Sequence, residues 1–195
     1  QAMIRQCTAM RLPVEAWLIC DAKALRKYGM GFVKPFPVPH FHHLRSGYLV
    51  EGNTLAELAC QLGIDGDGLA ETVARFNPAA ASGEDPDFGR GRSAYNRFLG
   101  DMDHKPNPCL APLETGPFYA IHIAIGDLGT FAGLKTDGHA RVLAERGQPI
   151  AGLFAVGNDM ASIMGGNYPG GGITLGPAMT FGYIAGQTLA GKSLL

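Results

Sequence analysis

"GGNYPGGGITLGPAMTFG", residues 165–182, places seven glycines in eighteen positions beside one tyrosine and carries no charged side chain. A buried helix is expected over about 173 to 190, and "GLFAVGND" (152–159) precedes it as an apolar run broken by Gly157. Such a run predicts a strand buried on both faces, and a glycine at its end predicts a ligand crevice. Glycines placed between strand and helix serve close approach of one of two kinds. They let backbones touch, or they let a flat ligand reach the free N–H groups of the first helical turn. The residue types alone leave both open.

Upstream, the chain reads as loops and short helices to about Asp127. "KPFPVPHFHH" (34–43) is too proline-rich for a helix and predicts a loop. Thr54 with Glu57 makes a capping box, Leu55, Leu58, Ala59 and Leu62 mark one helical face, and Gly63 is the stop. A second helix is expected over about 67–77, from Leu69, Val73 and Phe76. Periodicity leaves "EDPDFGRGRSAYNRFLGD" (84–101) unassigned. "FYAIHIAI" (118–125), "GLKTD" (133–137), "ARVLA" (140–144) and "GLFAVG" (152–157) read as strands, the middle pair as an antiparallel hairpin.

Sixteen basic and seventeen acidic residues give a net charge of −1, which supplies no electrostatic footprint for nucleic acid or an anionic membrane. Residues 173–190 approach membrane-spanning length but are rich in glycine and alanine and include Thr174, Pro177 and Gln187, so packing against protein is expected. Cys7, Cys20, Cys60 and Cys109 form no C-x-x-C pair, which indicates neither zinc nor a disulfide framework and fits a reducing, cytoplasmic compartment.

Other motifs fail on context. "GQTLAGKS" (186–193) matches a phosphate loop but closes a helix instead of opening one. "GRGRSA" (89–94) fits a loose dinucleotide pattern with Asp87 and Phe88 where a strand should be. "DGDG" from Asp65 starts like a calcium loop, but Phe76 stands at the twelfth position, where a glutamate is required. His40, His42 and His43 have H-x-H spacing without carboxylate or cysteine support, so no metal is expected.

"GLFAVGNDMASIMGGNYPGGGITLGPAMTFGYIAG", with "GDLGTFAGLKTDGHARVL" before it, resembles the C-terminal end of flavoproteins of the fumarate reductase and 3-ketosteroid dehydrogenase superfamily. "GEDPDFGRGRSAYNRFLGD" and "KPNPCLAPLETGPFYA" resemble the end of the cap domain in the ketosteroid dehydrogenase branch. The resemblance implies an α+β or α/β fragment of a two-domain flavoprotein: residues 1–126 part of the substrate (cap) domain, 127–195 the C-terminal segment of the FAD-binding domain. It implies FAD as cofactor and a partner in the N-terminal part of the same protein, which bears the G-x-G-x-x-G unit. The chain alone is then expected to be inactive and to bind FAD weakly.

By the same resemblance, Tyr168 and the N–H of Gly172 bind a ketone oxygen, and Gly157, Asn158, Ile173, Thr174 and Leu175 meet the flavin. Asn158 stands where relatives place an acidic residue. The family's proton-abstracting tyrosine falls upstream of Gln1; Tyr28, Tyr48, Tyr95, Tyr119 and Tyr183 do not match its motif. Fumarate reductases carry an arginine where Tyr168 stands, and residues 158–191 contain no Lys, Arg or His. A dianion held there would be unpaired, at a cost of several kcal/mol per ion. The expected reaction is introduction of a C=C bond next to a ketone, in a steroid-like substrate. The alternatives are a fumarate- or enoate-type reductase and a non-catalytic cap-like binding module.

Overall fold

The computed structural model describes residues 2–126 and 129–192. Asp127, at the expected change of character, Gln1 and Ser193 of the phosphate-loop match lie outside the described residues. The chain divides into two compact units, Gln1–Ile125 and Gly126–Leu195.

The first unit runs α1 (Ala2–Met10), β1 (Glu15–Asp21), α2 (Ala22–Tyr28), α3 (Phe41–Arg45), β2 (Leu49–Gly52), α4 (Leu55–Leu62), α5 (Gly66–Ser82), α6 (Ala94–Phe98) and β3 (Phe118–Ala124). Its strands form an antiparallel sheet in the order β1-β3-β2, with Leu18 opposite Ile121 and Ala120 opposite Val50. Strands β1 and β2 are not among those expected from the sequence, which signals only β3 here. Alternation along that central strand builds two cores, because successive side chains point to opposite faces. Tyr119 and Ile121 pack with Leu25, Met30, Val33 and Leu49, while Phe118 and Ala120 pack with Leu58. Helix α4 therefore lies directly on the sheet: a Cβ on Gly52 would sit 2.6 Å from the Leu58 nitrogen.

Two of the expected signals of α4 act as read: Thr54 Oγ1 accepts the Glu57 N–H at 3.1 Å and Gly63 ends the helix at φ 65°. The return bond of the capping box lands one residue earlier, Glu57 Oε2 accepting the Asn53 N–H at 2.9 Å instead of that of Thr54. The helix expected over 67–77 runs five residues further, carrying Pro78 inside it and ending at Gly83. Asn77 anchors this extension by donating to the Leu113 carbonyl and accepting the Leu113 N–H, both at 2.9 Å. The proline-rich loop holds through His40, where the short helix α3 takes over.

Residues 84–110 are organised by two buried polar side chains. Asp85 accepts from the Phe88 and Arg90 N–H groups and from Arg90 Nε at 2.6 Å. Asn107 donates to the Gly83 and Arg90 carbonyls and accepts the Cys109 N–H at 3.0 Å. A third, Asp21, caps α2 at the Ala24 N–H (2.9 Å) and accepts from Glu114 and Thr115, tying α2 to the approach to β3.

The second unit holds β4 (Arg141–Leu143) and β5 (Pro149–Phe154), paired antiparallel, a 3₁₀ turn at Gly157–Asp159, and α7 (Leu175–Leu189). Among the described residues the paired strands are antiparallel, which makes the fold α+β, and the parallel contact there is an isolated bridge, Leu134 to Met160. Three expectations are corrected. "GLKTD" and "ARVLA" do meet antiparallel, at the bridge Thr136 to Val142 with the Asp137 N–H on the Arg141 carbonyl and the Leu143 N–H on the Lys135 carbonyl, but the 133–137 run forms no strand, and the longer pairing of β4 is with β5. β5 is not buried on both faces, since a two-stranded ribbon has too few neighbours to cover it: Ile150 and Leu153 are each 42% exposed. Nor is α7 a buried helix, because only Ala185 is buried along it, and Leu175, Met179 and Tyr183 are exposed.

Burial works against ionisation of Asp85, but the bonds from the Arg90 side chain and from the Arg90 and Phe88 N–H groups outweigh it and lower its pKa. Its contribution to stability is complete above the ordinary carboxylate value, roughly 3.9, and is lost as pH falls through the lowered folded value. Acid unfolding should therefore show a shallower dependence on pH in Asp85→Asn than in the wild type; parallel curves would contradict this account of the 84–110 loop.

Candidate functional site

The site assembles around the start of α7. Gly172 has φ +93°, a conformation that L side chains rarely adopt, and its carbonyl accepts the Gly176 N–H at 2.7 Å to begin the helix. No described backbone carbonyl or side chain accepts from the N–H groups of Gly172, Ile173, Thr174 or Leu175. Thr174 stands at the cap position, yet its side chain makes no capping bond. A helix end left in this state presents a row of donors at the positive pole of the helix dipole, suited to an electron-rich edge.

Other glycines hold neighbouring segments against that helix end. Gly157, at φ +61°, brings the 3₁₀ turn to α7, where its Cβ would lie 3.3 Å from the Ala178 Cβ. At Gly129 a Cβ would lie 2.9 Å from Thr174 Cγ2 and 3.1 Å from Asn158 Oδ1, so Asn158 and Thr174 converge there. The Asn158 carbonyl accepts the Thr130 hydroxyl at 2.7 Å. At Gly133 a Cβ would lie 2.5 Å from the Met160 carbonyl carbon; the Leu134 N–H reaches the Asp159 carbonyl and the Ala161 N–H the Leu134 carbonyl, both at 2.9 Å. Behind these contacts, Val142, Ala155 and Met160 form a small core against which Phe181 packs.

The structure thus brings together Gly157, Asn158, Ile173, Thr174 and Leu175. Tyr168 and Gly172 share the segment leading into α7 without a hydrogen bond between them; Tyr168 is 52% exposed and makes no hydrogen bond or ring contact with any described residue. Gly129 and Gly133 were missed as positioning residues. Their signal was the G-x-x-x-G spacing within "GDLGTFAG", which composition alone does not distinguish from a flexible loop. Among the described residues no cluster of three or more His, Cys, Asp or Glu is arranged around a metal-sized point, and no helix is long and apolar enough to cross a membrane.

Comparison with known proteins bears on what this helix end serves. The profile of the FAD binding domain family matches residues 1–175. The chain is 55% identical to a 4-oxocyclohex-2-ene-1-carboxylate 5-dehydrogenase of Sinomonas cyclohexanicum over 89% of its length and 30% of the relative's. It is 45% identical to a 3-oxosteroid 1-dehydrogenase of Mycolicibacterium smegmatis, over 91% of the chain and 31% of the relative. Among solved structures, the 3-ketosteroid delta1-dehydrogenase of Sterolibacterium denitrificans, in complex with 1,4-androstadiene-3,17-dione, superposes with a TM-score of 0.87 at 42% identity, over 97% of this chain and 34% of that one. The chain therefore spans about a third of the length of these relatives.

The close approach at Gly133 yields a stability test. Gly133→Ala must push the 131–134 segment off Met160 and should cost about 2–4 kcal/mol. Gly138→Ala, whose Cβ would meet nothing within 4 Å, should change stability by at most about 1 kcal/mol. Thermal melts of the two variants would give equal midpoints if the contact were unimportant.

Proposed function

The chain belongs to the FAD binding domain family, and from that premise we propose that it is part of a dehydrogenase that introduces a C=C bond next to the carbonyl of a six-membered cyclic ketone. The ring ketone is the feature common to the 3-oxosteroid and 4-oxocyclohexenecarboxylate named for its relatives. The row of N–H groups opening α7 carries the reading, because donors without an acceptor are what both a flavin edge and a developing oxyanion require.

FAD, when bound, supplies the acceptor for the hydride that leaves the carbon adjacent to the α-carbon. Gly157 and Asn158 would hold it from one side, and the N–H groups of Ile173, Thr174 and Leu175 would face its electron-rich edge. The Tyr168 hydroxyl and the Gly172 N–H donate to the ketone oxygen, whose negative charge grows as the α-proton departs. Tyr28 and Tyr119 are unsuited to take that proton. Burial, then the bond to Asp101, raises the pKa of Tyr28; burial, then Glu51, pushes Tyr119 up to about 12. The base and the rest of the flavin site are assigned to parts of the enzyme beyond this chain, consistent with the third of each relative that it spans. Four unpaired cysteines favour a reducing, cytoplasmic compartment.

Tyr168→Phe in the complete enzyme keeps the ring and deletes one donor, which should lower kcat by about 10²–10³. KM should change less, since the hydroxyl's contact strengthens as charge reaches the oxygen. Rapid mixing with a cyclic ketone, followed by flavin absorbance in a single turnover, isolates the oxidation step. An unchanged rate would make Tyr168 a packing residue and remove the oxyanion role.

A further inference from the structure

The net charge of −1 conceals a segregation: residues 22–50 contain Lys23, Arg26, Lys27, Lys34 and Arg45 and no aspartate or glutamate. Among the described residues, Lys27 pairs with Asp101, while no carboxylate pairs with Arg26, Lys34 or Arg45. Repulsion from acids elsewhere on the chain is screened beyond a Debye length of about 10 Å, so this stretch acts on its surroundings as a cation.

The same stretch holds aromatic rings rigidly in solvent. Met30 and Val33 are buried in the first core and exchange two backbone hydrogen bonds, at 2.9 and 3.0 Å, which makes a tight turn of the two residues between them. In that turn Gly31 has φ +59°, where a Cβ would lie 2.3 Å from the Tyr48 hydroxyl, and the same hydroxyl accepts the Phe32 N–H at 3.1 Å. Phe32, with its backbone fixed in this way, is 78% exposed. From its ring a strip of contacts runs to Tyr48 at 5.7 Å between centroids, to His43 at 5.4 Å, to His42 at 3.9 Å and to Phe41 at 5.9 Å. Phe41 ends the strip 58% exposed, with the Arg45 guanidinium 5.7 Å from its centre. Phe36 and Val38, in the connection between the two ends, are exposed as well, and the Arg26 guanidinium lies 3.9 Å from the Phe36 ring centre.

Rings alone would suit another apolar protein face, and unpaired cations alone would suit any polyanion. Rings interleaved with cations, with no acid among them, match the boundary of a bilayer, where aromatic side chains settle at headgroup depth and cations meet lipid phosphates. We propose that residues 32–45 attach the enzyme peripherally to an anionic phospholipid bilayer. Phe32 and Phe41 enter the headgroup region, and Arg26, Lys34 and Arg45 contact the phosphates. The attachment lies within the first unit, and it leaves the chain on the surface of the bilayer, since no described helix is long and apolar enough to cross it.

Flotation of the complete FAD-bound enzyme with vesicles of phosphatidylcholine alone, and with vesicles of phosphatidylcholine and phosphatidylglycerol, tests this without turnover. The wild type should bind the mixed vesicles at least about tenfold more tightly, the worth of one or more cations near a charged surface. Phe32→Ser combined with Phe41→Ser should weaken binding to the mixed vesicles by about tenfold or more. Lys34→Gln combined with Arg45→Gln should bring the two vesicle types near equality, and high salt should do the same to the wild type. All four side chains are exposed, so both variants should keep their flavin absorbance and melting midpoint. A wild type that binds neither vesicle, or both equally, overturns the proposal, as does a ring variant that binds like the wild type. A dimeric wild type that ignores vesicles and becomes monomeric in the ring variant also overturns it, and assigns the strip to an interface between copies of the enzyme.

Discussion

Four N–H groups, from Gly172 to Leu175, enter helix α7 with no acceptor among the described residues, and the second unit is arranged to hold that helix end in place. Helix geometry guarantees orphan donors at any N-terminus, and the side chain best placed to satisfy one, Thr174, makes no capping bond. Glycines fix the surroundings: Gly157 against Ala178, Gly129 against Thr174 and Asn158, Gly133 against the Met160 backbone. Each contact leaves no room for a Cβ without displacement, so the glycines set the geometry instead of loosening it. The aligned peptide dipoles then place roughly half a positive charge at the row of donors.

The first unit solves a different problem, how to fix long connections between short elements. Its sheet has three strands, and the central one divides its side chains between two separate cores. Beyond those cores, the buried polar side chains of Asp21, Asp85 and Asn107 take over, each satisfying two or three backbone groups. Buried groups bonded in this way are costly to disturb, because breaking one bond strands its partner. The loops they organise are therefore expected to open together with the sheet and not ahead of it.

What was legible in the sequence follows from this division. Helix α4 could be read to the residue, because its signals, Thr54, Glu57 and Gly63, are local and lie within its own span. Strand β3 was visible from its apolar run, while β2, four residues long, and β1, with Asp21 at its end, lack a period long enough to register. The 84–110 region escaped because Asp85 and Asn107 act on residues that only the fold brings near. The apolar character of β5 and α7 was read correctly as chemistry and wrongly as burial, since a sequence records that a face is apolar and not what covers it. At the site, the glycine run and Tyr168 stood out from the residues, but their roles came from resemblance; the lone side chain offers no geometric signature of its own.

The same physics separates the reactions open to this superfamily. Holding a dicarboxylate at residues 158–191 would bury charge without a partner, whereas a ketone asks only for donors, which a tyrosine hydroxyl and free backbone N–H groups provide. The most direct measurement is a crystal structure of the complete FAD-bound enzyme with a cyclic ketone in place. The account predicts the ketone oxygen within about 2.7–3.1 Å of both the Tyr168 hydroxyl and the Gly172 nitrogen. A ketone oxygen held by other groups, with Tyr168 turned to solvent, would contradict it.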